Sequence, residues 1–351
     1  MTTYLAVTNS LADGLTNLFS SEEEVPAQVE EIPLPEAGIS ILPSLMEKSI
    51  PDILLRSAAY QAAAVAESTG LTGANTKDPF DALVNIFCTT VSEDFIRTTT
   101  GSGFFIDPDG VIMTNAHVAQ FLLLENSDVM GDVDCVIRSG DPAAPKYSAE
   151  LLYLPPAWIY ENSTVISDAV PMGTGERDYA LLYVGKTIDG SPLPAQFPAL
   201  GFDTNLLPLS TRNEQVLAAG YPAEPVLRNG AGADLIPHKA TTTVSELYTF
   251  SSNTADVFSI RGSEVGAEGS SGGPVLNSNG DVIGIIVTRG DDATDGKGSL
   301  RAITISHVNK TMTQETNFGL AQHLSGDLQY LADAFAETIT PFLLEQLEKS
   351  N

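Results

Sequence analysis

Gly269-Ser270-Ser271-Gly272-Gly273-Pro274, leading into Val275-Leu276, is the stretch on which the reading of this chain turns. Small residues on both sides of a serine let the backbone turn tightly. Such a loop can bring two N–H groups close to the serine hydroxyl. That geometry suits a nucleophile beside a pocket for a developing oxyanion. The same string can also be a plain turn, so its meaning depends on what lies upstream.

Two upstream segments supply partners. His117 follows the apolar run Val111-Ile112-Met113-Thr114-Asn115-Ala116 and is expected to open a short helical turn after a strand. Asp178 precedes Tyr179-Ala180-Leu181-Leu182-Tyr183-Val184, an apolar strand pattern. Taken singly, a histidine after a strand is usually structural and an aspartate before one is usually a cap. Together with Ser271 they stand in the order His, Asp, Ser. A serine hydroxyl is a weak nucleophile until a base takes its proton, and histidine titrates in the right range. Asp178 would hold the imidazole tautomer, and the N–H groups of Gly269 and Ser271 would bind the oxyanion.

The rest of the chain is consistent with a β scaffold. From about Pro79, short β-branched or aromatic runs alternate with Gly, Asn, Asp and Pro: 83–91, 101–106, 111–114, 134–138, 179–184, 215–219, 241–247, 257–260, 274–276, 282–288 and 300–305. Many short strands separated by turn signals predict an all-β barrel or sandwich. Asp107-Pro108-Asp109-Gly110 and Asn277-Ser278-Asn279-Gly280 read as hairpin turns. Residues 20–43 are acidic and proline-punctuated and read as a tether, and 53–68 is alanine-rich with helical spacing. Residues 327–349 carry a helical apolar stripe with Pro341 as a break.

Composition narrows the function. Of the 351 residues 45 are acidic and 17 basic, so the formal charge is −28. Nucleic acid and anionic membranes would be repelled, and neither is expected as a partner. The four histidines lack ligand spacing, so no metal and no other cofactor is expected. Cys88 and Cys135 each sit in an apolar run and read as buried small side chains, with one disulfide as the alternative. No run of ~18 apolar residues predicts a membrane span. Residues 1–18 lack Lys and Arg and do not read as a signal peptide. As written the chain reads as cytoplasmic, with export by a route not readable in the sequence as the open alternative.

Thr114-Asn115-Ala116-His117, Asp178-Tyr179-Ala180-Leu181-Leu182 and Gly269-Ser270-Ser271-Gly272-Gly273-Pro274 resemble the three signatures of trypsin-like serine proteases. Gly101-Ser102-Gly103-Phe104-Phe105-Ile106-Asp107-Pro108-Asp109-Gly110 and Ala218-Ala219-Gly220-Tyr221-Pro222 resemble the HtrA/DegP branch, whose members are often extracytoplasmic. The resemblance implies an all-β fold of two six-stranded antiparallel barrels with the active site between them. It further implies a serine endopeptidase acting on extended polypeptides, with a place in protein quality control. The domain expectation is an N-terminal extension (1–77), a protease domain (78–310) and a C-terminal helical segment (311–351). That segment is short for a PDZ domain. It is expected to pack on the second barrel or to support a homo-oligomer.

The resemblance also places Val265 at the base of the primary specificity pocket and Ile286, Val287, Thr288 and Arg289 along the substrate. An uncharged base predicts cleavage after small or medium aliphatic residues. Arg289 and Arg301 would select acidic residues only if they reached the pocket, while Glu264 and Glu268 would disfavour them. Ser270 replaces the Asp of digestive relatives, which argues against activation by a freshly cut N-terminus. Leu154–Gly175 reads as an insertion, either a flap or a local excursion packing Trp158. The competing expectation to an active protease is a silent scaffold that binds extended polypeptides.

Overall fold

The structure, a computed structural model, describes residues 38–42, 50–66, 73–92, 96–125, 127, 131–168, 175–230, 232–250, 253–266, 268–290 and 298–350. The tether expected over 20–43 falls outside these residues except for its end. There, β1 (Ile39–Ile41) pairs in parallel with Leu247–Thr249.

The expected helix over 53–68 forms as two pieces, α1 (Ile53–Arg56) and α2 (Ala58–Val65), divided at Ser57. Ser57 caps α2 by accepting from the Tyr60 N–H, which meets a donor that the first turn leaves unpaired. Residues 67 and 68 lie outside the description. A single turn, α3 (Pro79–Ala82), then leads into the barrels.

The first barrel contains β2 (Leu83–Val91), β3 (Ile96–Asp107), β4 (Val111–Thr114), β5 (Asp132–Ser139), β6 (Ala144–Tyr153) and β7 (Ala180–Thr187). It closes in the order β2-β3-β4-β7-β6-β5 with every pairing antiparallel. The second contains β8 (Gln215–Gly220), β9 (His238–Thr249), β10 (Val257–Ile260), β11 (Pro274–Leu276), β12 (Val282–Arg289) and β13 (Leu300–Thr304). Its ring is β9-β10-β13-β12-β11-β8, closed by the β8–β9 pairing. Closure leaves no long edge exposed, which is how a chain of many short strands avoids edge-to-edge association. Eleven runs predicted from sequence overlap strands. The missed barrel strand is β6, whose first three residues, Ala144-Pro145-Lys146, are exposed and carry no β-branched or aromatic run.

Both predicted hairpin turns form. Gly110 N–H donates to the Asp107 carbonyl at 3.1 Å, and Gly280 N–H to that of Asn277 at 3.1 Å. The two cysteines are not merely buried side chains. Cys88 and Cys135 stand directly opposite in the β2–β5 ladder and form a disulfide.

Between β4 and β5 lies α4 (Ala116–Ala119), and α5 (Pro156–Asn162) follows β6. The insertion at 154–175 is no flap over its described part. Trp158, Ile159 and Ile166 are buried, and Arg97 on β3 donates to the carbonyls of Ile166 (3.0 Å) and Asp168. Met172-Gly173-Thr174 lies outside the described residues. After α6 (Glu224–Asn229) and the second barrel come α7 (Ile305–Thr316), α8 (Leu320–Ser325), α9 (Leu328–Thr338) and α10 (Thr340–Ser350). The break at Pro341 therefore falls in the first turn of α10, where the missing N–H costs least.

The terminal helices correct one expectation. α9 packs on β6 and β7 of the first barrel, and α10 on α5, while α7 packs on β12 and β13. The apolar stripe of α9, Leu331 and Phe335, meets Tyr60, Ala63 and Ala64 of α2 in one buried cluster. Part of the expected N-terminal extension is thus built into the core of the first barrel.

A buried His–Asp contact joins the start of α7 to the residue just before β10. His307 Nδ1 lies 3.0 Å from Asp256 Oδ1. The Thr249 hydroxyl and the Phe250 N–H donate to Asp256 Oδ2 at 2.8 and 2.9 Å. Burial alone would raise this carboxyl. The His307 ring and the two donors outweigh it and hold its pKa down at about 2. A depressed folded pKa contributes stability above the unfolded value and loses it as pH falls through the folded one. Wild type is therefore expected to lose about 2 kcal/mol of its advantage over Asp256→Asn between pH 5 and pH 2. Urea unfolding of both proteins across that range checks it. A gap that stays constant would show that the pair is not formed.

Candidate active site

Asp178 is fully buried between the first barrel and the helical turn α4. Both of its carboxylate oxygens are used on one residue. Oδ1 accepts from the His117 backbone N–H at 2.9 Å, and Oδ2 lies 2.8 Å from His117 Nδ1. A carboxylate only accepts, so Nδ1 carries the proton and neutral His117 keeps a bare Nε2. The Asp178 carbonyl accepts from Asn115 Nδ2 at 2.8 Å, and Thr114 donates to the Ser102 carbonyl at 2.7 Å. The residues before His117 thus tie it to the strands on either side.

Ser271 comes from the second barrel, in the loop before β11. Its carbonyl accepts from the Ser102 N–H at 2.7 Å, and the Ser102 hydroxyl donates to the Gly269 carbonyl at 2.7 Å. Tyr221 N–H in turn donates to the Ser102 hydroxyl at 2.8 Å. Ser102 on β3 is therefore the splint between the barrels at the site. Gly101-Ser102-Gly103 carries no catalytic signature of its own. A serine between two glycines inside an apolar strand was the available signal.

The loop is shaped by close approach. A Cβ on Gly272, at φ +89°, would lie 1.9 Å from the Ser102 carbonyl oxygen. One on Gly269, at φ +91°, would lie 2.6 Å from Ala223 Cβ. Neither position accepts a side chain. The Glu268 carbonyl is held by the Ala223 N–H at 2.6 Å. Because the peptide is planar and trans, the Gly269 N–H points the opposite way. Neither the Gly269 nor the Ser271 N–H has an acceptor among the described residues.

Ser270 is fully buried against Gly220, and its hydroxyl has no partner among the described residues. The Ser271 hydroxyl donates to the Val287 carbonyl at 3.4 Å. Among the described residues it makes no hydrogen bond to the His117 ring.

Val265, Ile286, Leu300 and Ala302 share the apolar interior of the second barrel, with Ile286 opposite Ala302 across the β12–β13 ladder. β11 stops pairing with β12 at Ile285; beyond it Thr288 and Arg289 stand opposite Arg301 and Leu300 of β13, with Val287 at a register shift. The side chain of Thr288 lies outside the description. Arg289 is exposed, and the Arg301 guanidinium sits over the Tyr248 ring at 4.8 Å. Glu264 is exposed, and Glu268 is half-buried.

No helix among the described residues is long and apolar enough to cross a membrane. Comparison with curated proteins returns no significant match. Solved structures similar to the chain include the Rv3671c protease from M. tuberculosis in an active form. It is 20% identical with a TM-score of 0.39, over 81% of this chain and 94% of that one. Rv3671c from M. tuberculosis H37Rv is also similar as a serine-to-alanine mutant in an inactive form. That match is 19% identical with a TM-score of 0.39, over 79% of this chain and 98% of that one. The profile of the trypsin-like peptidase domain matches residues 101–285, a span that begins before the histidine segment and ends beyond the serine loop. The chain belongs to the trypsin-like peptidase family and is a serine protease of two six-stranded β-barrels.

Proposed function

We propose that the chain is an endopeptidase in which Ser271 is the nucleophile, His117 its base and Asp178 the group that orients the base. The observation that carries this reading is the two-oxygen grip of Asp178 on His117, which leaves Nε2 as the proton acceptor. Ser271 Oγ attacks the scissile carbonyl carbon while Nε2 takes the hydroxyl proton. The N–H groups of Gly269 and Ser271 hold the oxygen that becomes negative. His117 returns the proton to the departing amine, and water releases the acyl group by the reverse of these steps. A fluorophosphonate probe tests the reading. Labelling of the wild type at Ser271 is expected, and its complete absence with peptide activators present would overturn it.

The end of β12 beyond Ile286, past the last β11 pairing, suits an extended polypeptide added as a strand. The apolar group of Val265, Ile286, Leu300 and Ala302, with Arg301 engaged on Tyr248, supports small or medium aliphatic residues before the cut. Peptide-library profiling is expected to return Val, Ala or Leu there. A dominant Asp or Glu would overturn that preference and bring Arg289 and Arg301 into the pocket. The likeness of 101–110 and 218–222 to HtrA/DegP segments supports a place in protein quality control. A second reading, a resting scaffold that holds polypeptide uncut, draws on the contact of the Ser271 hydroxyl with Val287. Catalytic hydrogen bonds are often loose without substrate and tighten on binding, so the protease reading stands first.

A further inference from the structure

The two residues that flank Asp178 in the chain are both held by one helix. Arg177, with a left-handed backbone at φ +57°, donates from Nε to Glu315 at 2.8 Å. It also donates to Gln314 at 3.3 Å and Glu176 at 3.0 Å. On the other side, the Tyr179 and Thr311 hydroxyls are 2.8 Å apart. Thr311 donates to the His307 carbonyl, so Tyr179 is the donor between them. Thr311, Gln314 and Glu315 lie three and four residues apart and so share one face of α7. Glu315 and Thr311 are buried.

This helix follows β13 without a linker, so it belongs to the barrel that carries Ser271. Its grip is on the barrel that carries His117. A non-glycine residue in the left-handed region persists only where its surroundings over-determine it, and here the surroundings are α7. Glu315 is faced by Arg177 and by three tyrosines, Tyr60 on α2, Tyr153 on β6 and Tyr179 just before β7. None of the α7 residues bonds to Asp178 directly, so whatever they do to it passes through its neighbours.

We propose that Glu315 and Thr311 are positioning residues that register Asp178, and through it His117, against Ser271 across the two barrels. The proposal rests on the triad assignment above. It differs from a purely structural tie in what it predicts per competent site. Glu315→Gln removes the charge with little change of shape, and Thr311→Val removes a hydroxyl alone. Fluorophosphonate titration counts competent sites, and circular dichroism reports the fold.

In each variant, kcat per titrated site is expected to fall about 10- to 100-fold with KM within about twofold, since a small misplacement of catalytic groups has costs of this order. The acid limb of the kcat profile is expected to move in Thr311→Val, which removes no titrating group; burial raises the Glu315 carboxyl to about 7, so its own ionisation also enters the profile that Glu315→Gln changes. If Glu315→Gln does not fold, Thr311→Val decides alone. The proposal is overturned if folded variants keep kcat per titrated site within about twofold and the acid limb of Thr311→Val stays in place. If Ser271→Ala retains wild-type hydrolysis, the triad assignment fails instead, and the two failures are separable.

Discussion

Ser271→Ala is expected to lower kcat for peptide hydrolysis by roughly 10⁵- to 10⁶-fold and to abolish fluorophosphonate labelling. The substitution removes one oxygen from a half-buried position, so the fold should be unaffected. The Gly269 and Ser271 N–H groups remain, because alanine keeps the backbone and the Glu268 carbonyl stays bound to Ala223. A residual rate above that of water is therefore expected from oxyanion binding and substrate placement alone. Progress curves with a peptide identified by library profiling measure it. Loss of less than tenfold would show that the hydrolysis does not pass through an acyl group on Ser271.

Asp178→Asn is expected to lower kcat by about 10⁴-fold with the fold intact. The reason lies in the two contacts of this carboxylate. One oxygen must still accept from the His117 backbone N–H, which fixes the amide orientation. The NH₂ group then faces Nδ1, where a donor was previously met by an acceptor. Nδ1 must become the acceptor, and the ring proton moves to Nε2, where it blocks removal of the serine proton. Steady-state kinetics with thermal unfolding on the same protein check this. A change within tenfold would mean that Asp178 does not set the tautomer. Both predictions share a premise, that groups from two barrels act as one unit, so their effects should not add.

Much of this was legible in the primary structure because it is local. Val111–Thr114, Val257–Ile260 and Pro274–Leu276 are short apolar runs bounded by turn residues, and they form strands at those bounds. Asp107–Gly110 and Asn277–Gly280 carry their own turn chemistry. β6 was not legible, because its exposed start, Ala144-Pro145-Lys146, lacks strand residues and its pairing is decided by β5 and β7. The disulfide was an open alternative, because pairing depends on the β2–β5 register and not on either cysteine's surroundings in the chain. The terminal helices showed their apolar stripe but not the surface it covers, and α9 chose the first barrel and α2.

The Gly269–Pro274 loop divides along the same line. By itself the sequence determined that a serine sits among glycines, with a histidine and an aspartate before it in matching contexts, since residue type and order are properties of the chain. Only the tertiary structure decided that Asp178 grips His117 with both oxygens and that Ser102 splints the serine loop to the other barrel. It alone decided that α7 holds Arg177 and Tyr179 on either side of the aspartate. Those contacts join residues that closure of two barrels brings together, and no local pattern encodes a distance across them.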